Sequence, residues 1–151
     1  MESIRVRNRD AYIIEVNDDG ETIEFDVTDI ELPFRLERAQ KMASDAQKWL
    51  KGQLVIIQKK QDTVKKGDML TVKERALLEA YRETFRKMRA AIDEFAGAGA
   101  SQKIFGDKNY IEMFNDFMEE MEPHFDKMQI KGLDVRKRIE EKYNDKADDE
   151  I

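Results

Sequence analysis

The spacing of hydrophobic positions along this chain changes period once, from two to 3.6. Tyr12, Ile14 and Val16 alternate with Ile13, Glu15 and Asn17, and after Asn17-Asp18-Asp19-Gly20 the alternation resumes at Ile23, Phe25 and Val27. Period two on either side of turn-forming residues predicts a β-hairpin. An isolated hairpin is marginal in water, so this one must lie on other elements or pair with a second copy of itself. Pro33 suits the first turn of a helix. From there Ala39, Met42, Ala43, Ala46, Leu50, Leu54 and Ile57 keep a 3.6-residue stripe to about Lys60, which predicts a helix of roughly seven turns. Gln61 to Asp68 reads as a polar connection. Thr71 and Glu74 form a capping box for a second long helix, with Leu78, Tyr81, Phe85, Met88, Ile92 and Phe95 inward and Gly97 and Gly99 as its stop.

Between Gly97 and Gly106, Ile104 and Phe105 predict a single helical turn, and Asn109 with Glu112 repeats the capping-box pattern. Tyr110, Met113, Phe114, Phe117, Met118 and Met121 then fall on one side of a helix, opposite Glu112, Asn115, Asp116, Glu119, Glu120 and Glu122. Pro123 is expected to end or break it. Gly132 and Asp134 predict a last short helix anchored by Val135 and Ile139, and the acidic run Asp145, Asp148, Asp149, Glu150 predicts a frayed tail. The fold class is therefore mainly α, an N-terminal β-hairpin followed by an α-helical bundle. It is expected as one domain over residues 1–151, with a hairpin arm at 1–28, a helical body at 29–144 and a tail at 145–151.

The Tyr110 to Met121 stripe is the most informative surface. A face made only of aromatics and Met either closes a core or grips another protein, and unbranched, polarizable Met side chains adapt to varied partner helices. Tyr110, Met113, Phe114, Phe117, Met118 and Met121 are the candidate partner-binding residues. A divided face is expected, with Phe114 and Met121 inward and Phe117 and Met118 at least partly available to a partner.

Composition narrows the chemistry. At 151 residues with 40% charged side chains and a net charge of −6, the chain suits one solvated domain and lacks the basic excess of a general nucleic-acid coat. No apolar run approaches the ~18 residues of a membrane span, and Met1 is followed by Glu2, Arg5 and Arg7 in place of an apolar signal segment, so a cytoplasmic protein is expected. The absence of cysteine removes disulfides, thiolate metal sites and thiol nucleophiles together. The single histidine, His124, excludes motifs that need two. Glu120 precedes it by four residues, but an ordinary solvent-side histidine beside a helix break is the expectation, so no metal site is assigned. Gly97-Ala98-Gly99 opens like a dinucleotide fingerprint, yet Gln102 stands where the third glycine belongs, and a helix stop explains it better. Asn17-Asp18-Asp19-Gly20 lacks calcium-loop spacing and reads as a hairpin turn. The basic groups Arg5, Arg7 and Arg9, and Lys59, Lys60, Lys65 and Lys66, lack interleaved aromatics and read as a solvated arm and a solvated loop. No catalytic residue, cofactor or metal is assigned, and an enzyme is not expected.

Ile92-Asp93-Glu94-Phe95, Gln102-Lys103-Ile104-Phe105-Gly106-Asp107, Asn109-Tyr110, Met113-Phe114 and Glu122-Pro123-His124-Phe125 together resemble a family of tail assembly chaperones from siphophages and prophages of Gram-positive hosts. The order of parts, hairpin then helical body, is similar over nearly the whole chain. The family has no catalytic signature, so no functional residue is transferred individually. The resemblance implies a protein of the bacterial host cytoplasm, absent from the mature virion. It would bind the helical, aggregation-prone tape measure protein and help tail tube protein polymerise around it, this chain being the short form where a translational frameshift yields a longer one. A homo-oligomer through an open edge of the hairpin fits that picture, and neither membrane nor nucleic acid is an expected partner. The rival readings are a nucleic-acid-associated regulator using the Arg5 to Arg9 arm and an accessory structural subunit of the virion.

Overall fold

Asn17 closes the hairpin with its own side chain. The structure, a computed structural model, describes residues 1–6 and 11–128, and the chain is mainly helical. Strand β1 (Ala11–Glu15) pairs antiparallel with β2 (Thr22–Asp26), setting Tyr12 opposite Phe25 and Ile14 opposite Ile23. In the turn, Asn17 Oδ1 accepts the backbone N–H groups of Asp19 at 3.0 Å and Glu21 at 3.1 Å, the Asx-turn role that short polar side chains fill well. Gly20 takes φ +78°, a conformation that is costly for any residue with a Cβ. The register then puts Ile23, Phe25 and Val27 on the buried face, with Phe25 only 2% exposed, while Ile13 on the opposite face is 57% exposed.

Three helices follow, α1 (Leu32–Gln58), α2 (Val72–Ala96) and α3 (Ala100–Phe105), and residues 113–128 form a fourth, α4. The described chain divides into two compact units, one of residues up to Leu32 and from Glu112 onward, the other Pro33–Ile111. The hairpin, read from the sequence as an arm on a helical body, is thus grouped with α4.

In the Pro33–Ile111 unit, Ala39, Ala46 and Ile57 of α1 are buried and Met42, Ala43, Leu50 and Leu54 half-buried, so the predicted stripe is the inner face. Arg38 Nε meets Glu94 Oε1 at 2.7 Å and the Lys87 ammonium lies 4.0 Å over the Trp49 ring, so α1 and α2 run antiparallel. Exposed ion pairs add little stability, and these contacts orient more than they hold. The polar connection is more ordered than its composition suggests. Val64 and Thr71 form an isolated antiparallel bridge, Val72 N–H donates to Thr63 O at 2.8 Å, and Asp68 N–H donates to Lys65 O at 3.0 Å.

Thr71 and Glu74 cap α2 reciprocally: Thr71 Oγ1 accepts Glu74 N–H and Glu74 Oε1 accepts Thr71 N–H, each at 3.0 Å. Thr71→Ala removes the side-chain acceptor and is expected to lower stability by about 1 kcal/mol in a denaturant titration followed by Trp49 fluorescence. A shift within error would mean that the bridge at Val64 holds the helix start without the cap.

One predicted core position of α2 is corrected. Leu78 is 52% exposed, whereas Phe85, Ile92 and Phe95 are buried and Tyr81 and Met88 half-buried. The small residues Ala80, Thr84 and Ala91 are also buried, which turns the inner arc away from Leu78 and toward Leu77. Counting only large apolar residues misplaces its centre. Thr84 enters this arc by donating its hydroxyl to Ala80 O at 2.9 Å, leaving no unpaired polar atom.

The glycines end α2 as expected. Gly97 caps it with φ +102° and donates N–H to Asp93 O at 3.0 Å, and Asp93 Oδ1 accepts Ser101 N–H at 2.8 Å at the start of α3. Asn109, however, does not cap α4. Its Oδ1 accepts Arg89 Nε at 3.1 Å while a second Arg89 nitrogen donates to Lys108 O at 2.9 Å, so Arg89 ties this segment to α2. The helix opens later, at Glu112, whose carbonyl accepts Asp116 N–H at 2.9 Å. Pro123 does not end it either: helix runs on to residue 128. Pro123 and Glu119 are both exposed, so the Glu119 carbonyl that loses its intrahelical donor faces water. The predicted helix around Val135 and Ile139 and the acidic run from Asp145 lie outside the described residues.

Candidate functional site

In α4 the 3.6-residue repeat of the sequence becomes two faces. Met113, Phe114, Phe117, Met121 and Met128 are buried, and at about 100° per residue they span an arc of about 100°. Met118 lies about 40° past its edge and is 53% exposed. Glu112, Asn115, Asp116, Glu119, Glu120 and Glu122 occupy the opposite side and are all exposed.

The six candidate partner residues therefore separate. Met113, Phe114, Phe117 and Met121 are core of their unit, and only Met118 of the α4 set is presented to solvent. Tyr110 precedes the helix and is 58% exposed. Phe114 and Met121 point inward as expected. Phe117 does too, at 8% exposed, which corrects its assignment to a partner-facing position. The reason is angular: Phe117 sits near the middle of the arc set by Met113 and Phe114, whereas Met118 sits beyond it.

His124 is corrected as well. It is half-buried rather than solvent-side, and its Nδ1 shares a 2.7 Å hydrogen bond with the Tyr12 hydroxyl, the two rings meeting edge-on with centroids 5.7 Å apart. This bond joins β1 to α4 within their unit and gives the lone imidazole a structural partner. Spacing along the sequence carries no signal for it, since the two residues are 112 positions apart. Among the described residues no group of three potential ligands is arranged to hold a metal ion.

A second feature escaped the sequence reading. Where α1 ends and α2 begins, Leu54, Ile57 and Leu77 line an open hollow of about 410 Å³ with Gln58, Asp62, Lys73 and Glu74 at its sides. Around the same end of the helix pair Val55, Ile56, Val64, Met69 and Leu78 are each more than half exposed. Lys59, Lys60, Lys65 and Lys66 are exposed there and make no ion pair among the described residues. Of the N-terminal basic arm, Arg5 is exposed outside any element, and Arg7 and Arg9 lie outside the described residues.

Arg86, hydrogen-bonded to Glu83 one turn away, holds that carboxyl below the usual range while its own guanidinium is pushed up. Both groups are on the outside of α2, and this pairing is that of a solvated helix. No described helix is long and apolar enough to cross a membrane. Comparison with protein-family models, with curated proteins and with solved structures gives no match to this chain.

Proposed function

We propose that this protein is a tail assembly chaperone of a siphophage or prophage, which holds the tape measure protein in the host cytoplasm while tail tube protein polymerises around it. The observation that supports the reading best is Met118, an adaptable apolar side chain left at the water-facing edge of an otherwise buried Met and Phe stripe. Its position lets an amphipathic client helix extend the stripe rather than replace the core, the helix-in-groove mode of recognition. The exposed carboxylates of the same helix favour solubility while an apolar client is carried. Of the segments that carry the family resemblance, all but Asn109-Tyr110 fall on the end of α2, on α3 and its cap, or on α4. Self-association through an open strand edge of the hairpin belongs to the same reading.

The test is capture of a tape measure protein encoded at the same locus and co-expressed with the tagged chain. Met118→Asp is expected to leave the circular dichroism spectrum unchanged and to cut the recovered client on the order of tenfold or more, since an apolar contact worth ~1.5–3 kcal/mol is lost and a charge is placed in its stead. Undiminished capture by Met118→Asp, or no capture by the wild-type chain, would sink the assignment.

A further inference from the structure

The charges of this molecule are not balanced where they stand. Along the outer side of α4, Glu112, Asp116, Glu119 and Glu120 are exposed, and none makes an ion pair among the described residues. Asp116 lies four residues from both Glu112 and Glu120, a like-charge spacing that destabilises a helix unless a counter-charge is supplied. At the end of the α1–α2 pair the imbalance is reversed: Lys59, Lys60, Lys65 and Lys66 are exposed and make no ion pair among the described residues, and at the same end lie exposed Val64 and Met69 and the open hollow lined by Leu54, Ile57 and Leu77. Of the nearby acids, Glu74 is engaged in the cap of α2 and Asp68 faces Arg75 at 4.0 Å, which leaves Asp62 against the four lysines.

We infer that the lysine-rich end of the α1–α2 pair is a docking surface for the acidic outer face of α4 of a second copy. Charge complementarity argues for this occupant over a nucleic acid or an anionic membrane. The same molecule carries a matching acidic face at the same concentration, and those carboxylates have no ion-pair partner among the described residues. Because the two surfaces are different, the contact is heterologous, and a dimer leaves one of each unsatisfied, so association continues with concentration. Met118 lies on another side of α4, so the inference is independent of the client reading and stands if that reading fails.

Charge reversal tests it. The quadruple variant Lys59→Glu, Lys60→Glu, Lys65→Glu, Lys66→Glu presents acid to acid, and the triple variant Asp116→Lys, Glu119→Lys, Glu120→Lys presents base to base. In sedimentation velocity the wild-type chain is expected to gain mass with concentration at low salt and to lose about tenfold in association constant as salt screens the contact. Each variant alone should lose the salt-sensitive association, leaving only what runs through the hairpin edges, and mixing the two should restore it because each then meets its complement. Carbodiimide coupling of mixed light and heavy-isotope wild-type chains gives a readout free of any folding defect, with Lys60 or Lys66 joined to Glu119 or Glu120 across copies. A wild-type chain that stays monomeric at low salt would overturn the inference. So would salt-sensitive association that survives in both variants, or inter-copy coupling that avoids these lysines.

Discussion

Phe117→Ala is expected to cost roughly 3–5 kcal/mol, the range for removing a buried aromatic from a packed site, while Met118→Ala one residue away should stay within about 0.5 kcal/mol of wild type. The contrast follows from 8% against 53% exposure on adjacent positions of one helix. Trp49, the only tryptophan, stands in the other compact unit, so its fluorescence is a poor witness for α4. Amide hydrogen exchange over residues 113–128 is the better measurement, because it reports the local opening energy directly. There Phe117→Ala should speed exchange by on the order of two to three and a half decades where global or sub-global opening governs it. If Phe117→Ala cost less than about 1 kcal/mol, the residue would belong with Met118 on the solvent side and the candidate client surface would be wider.

How much of this was legible beforehand depends on the range of the interactions involved. The hairpin, the cap at Thr71 and Glu74 and the stop at Gly97 follow from neighbours a few positions apart, so local pattern was enough to place them. The start of α4 was misplaced for the opposite reason. Asn109 has the right residue type for a cap, but Arg89, twenty positions upstream, takes its oxygen instead. Pro123 misled in a similar way, since a missing donor is costly inside a core and less so on a face open to water.

The candidate site shows the same limit. Helical spacing found the apolar side of α4 but treated Phe117 and Met118 alike, because a stripe read from sequence has a centre only once its small and flanking members are placed. The connection after α1 reads as a solvated loop because the apolar hollow at that end, with Leu54 and Ile57 from one helix and Leu77 from the next, converges only after the helices pair. Likewise Tyr12 and His124 carried no mutual signal, and their bond is a product of the fold.

Deleting residues 1–28 should unfold α4 and spare α1, α2 and α3. Ile23, Phe25 and Val27 are buried in the unit that contains α4, and side chains of this kind contribute ~1.5–3 kcal/mol each when fully buried. The Tyr12 to His124 hydrogen bond adds about 0.5–1.5 kcal/mol, which the deletion also removes. Isolated helices of about this length are marginal in water, so α4 has little stability of its own to fall back on. In hydrogen exchange on the truncated chain, residues 113–128 should lose protection, while α1 and α2 keep it and Trp49 fluorescence still reports a cooperative transition. The sequence allowed two roles for the hairpin, packing on helices or pairing with a second hairpin, and this experiment separates them. Full protection of α4 together with a smaller mass in light scattering would make strand pairing its chief role. Loss of protection in α4 would instead make the hairpin the cover that keeps Met113, Phe114, Phe117 and Met121 out of water, and with them the geometry that leaves Met118 at the edge.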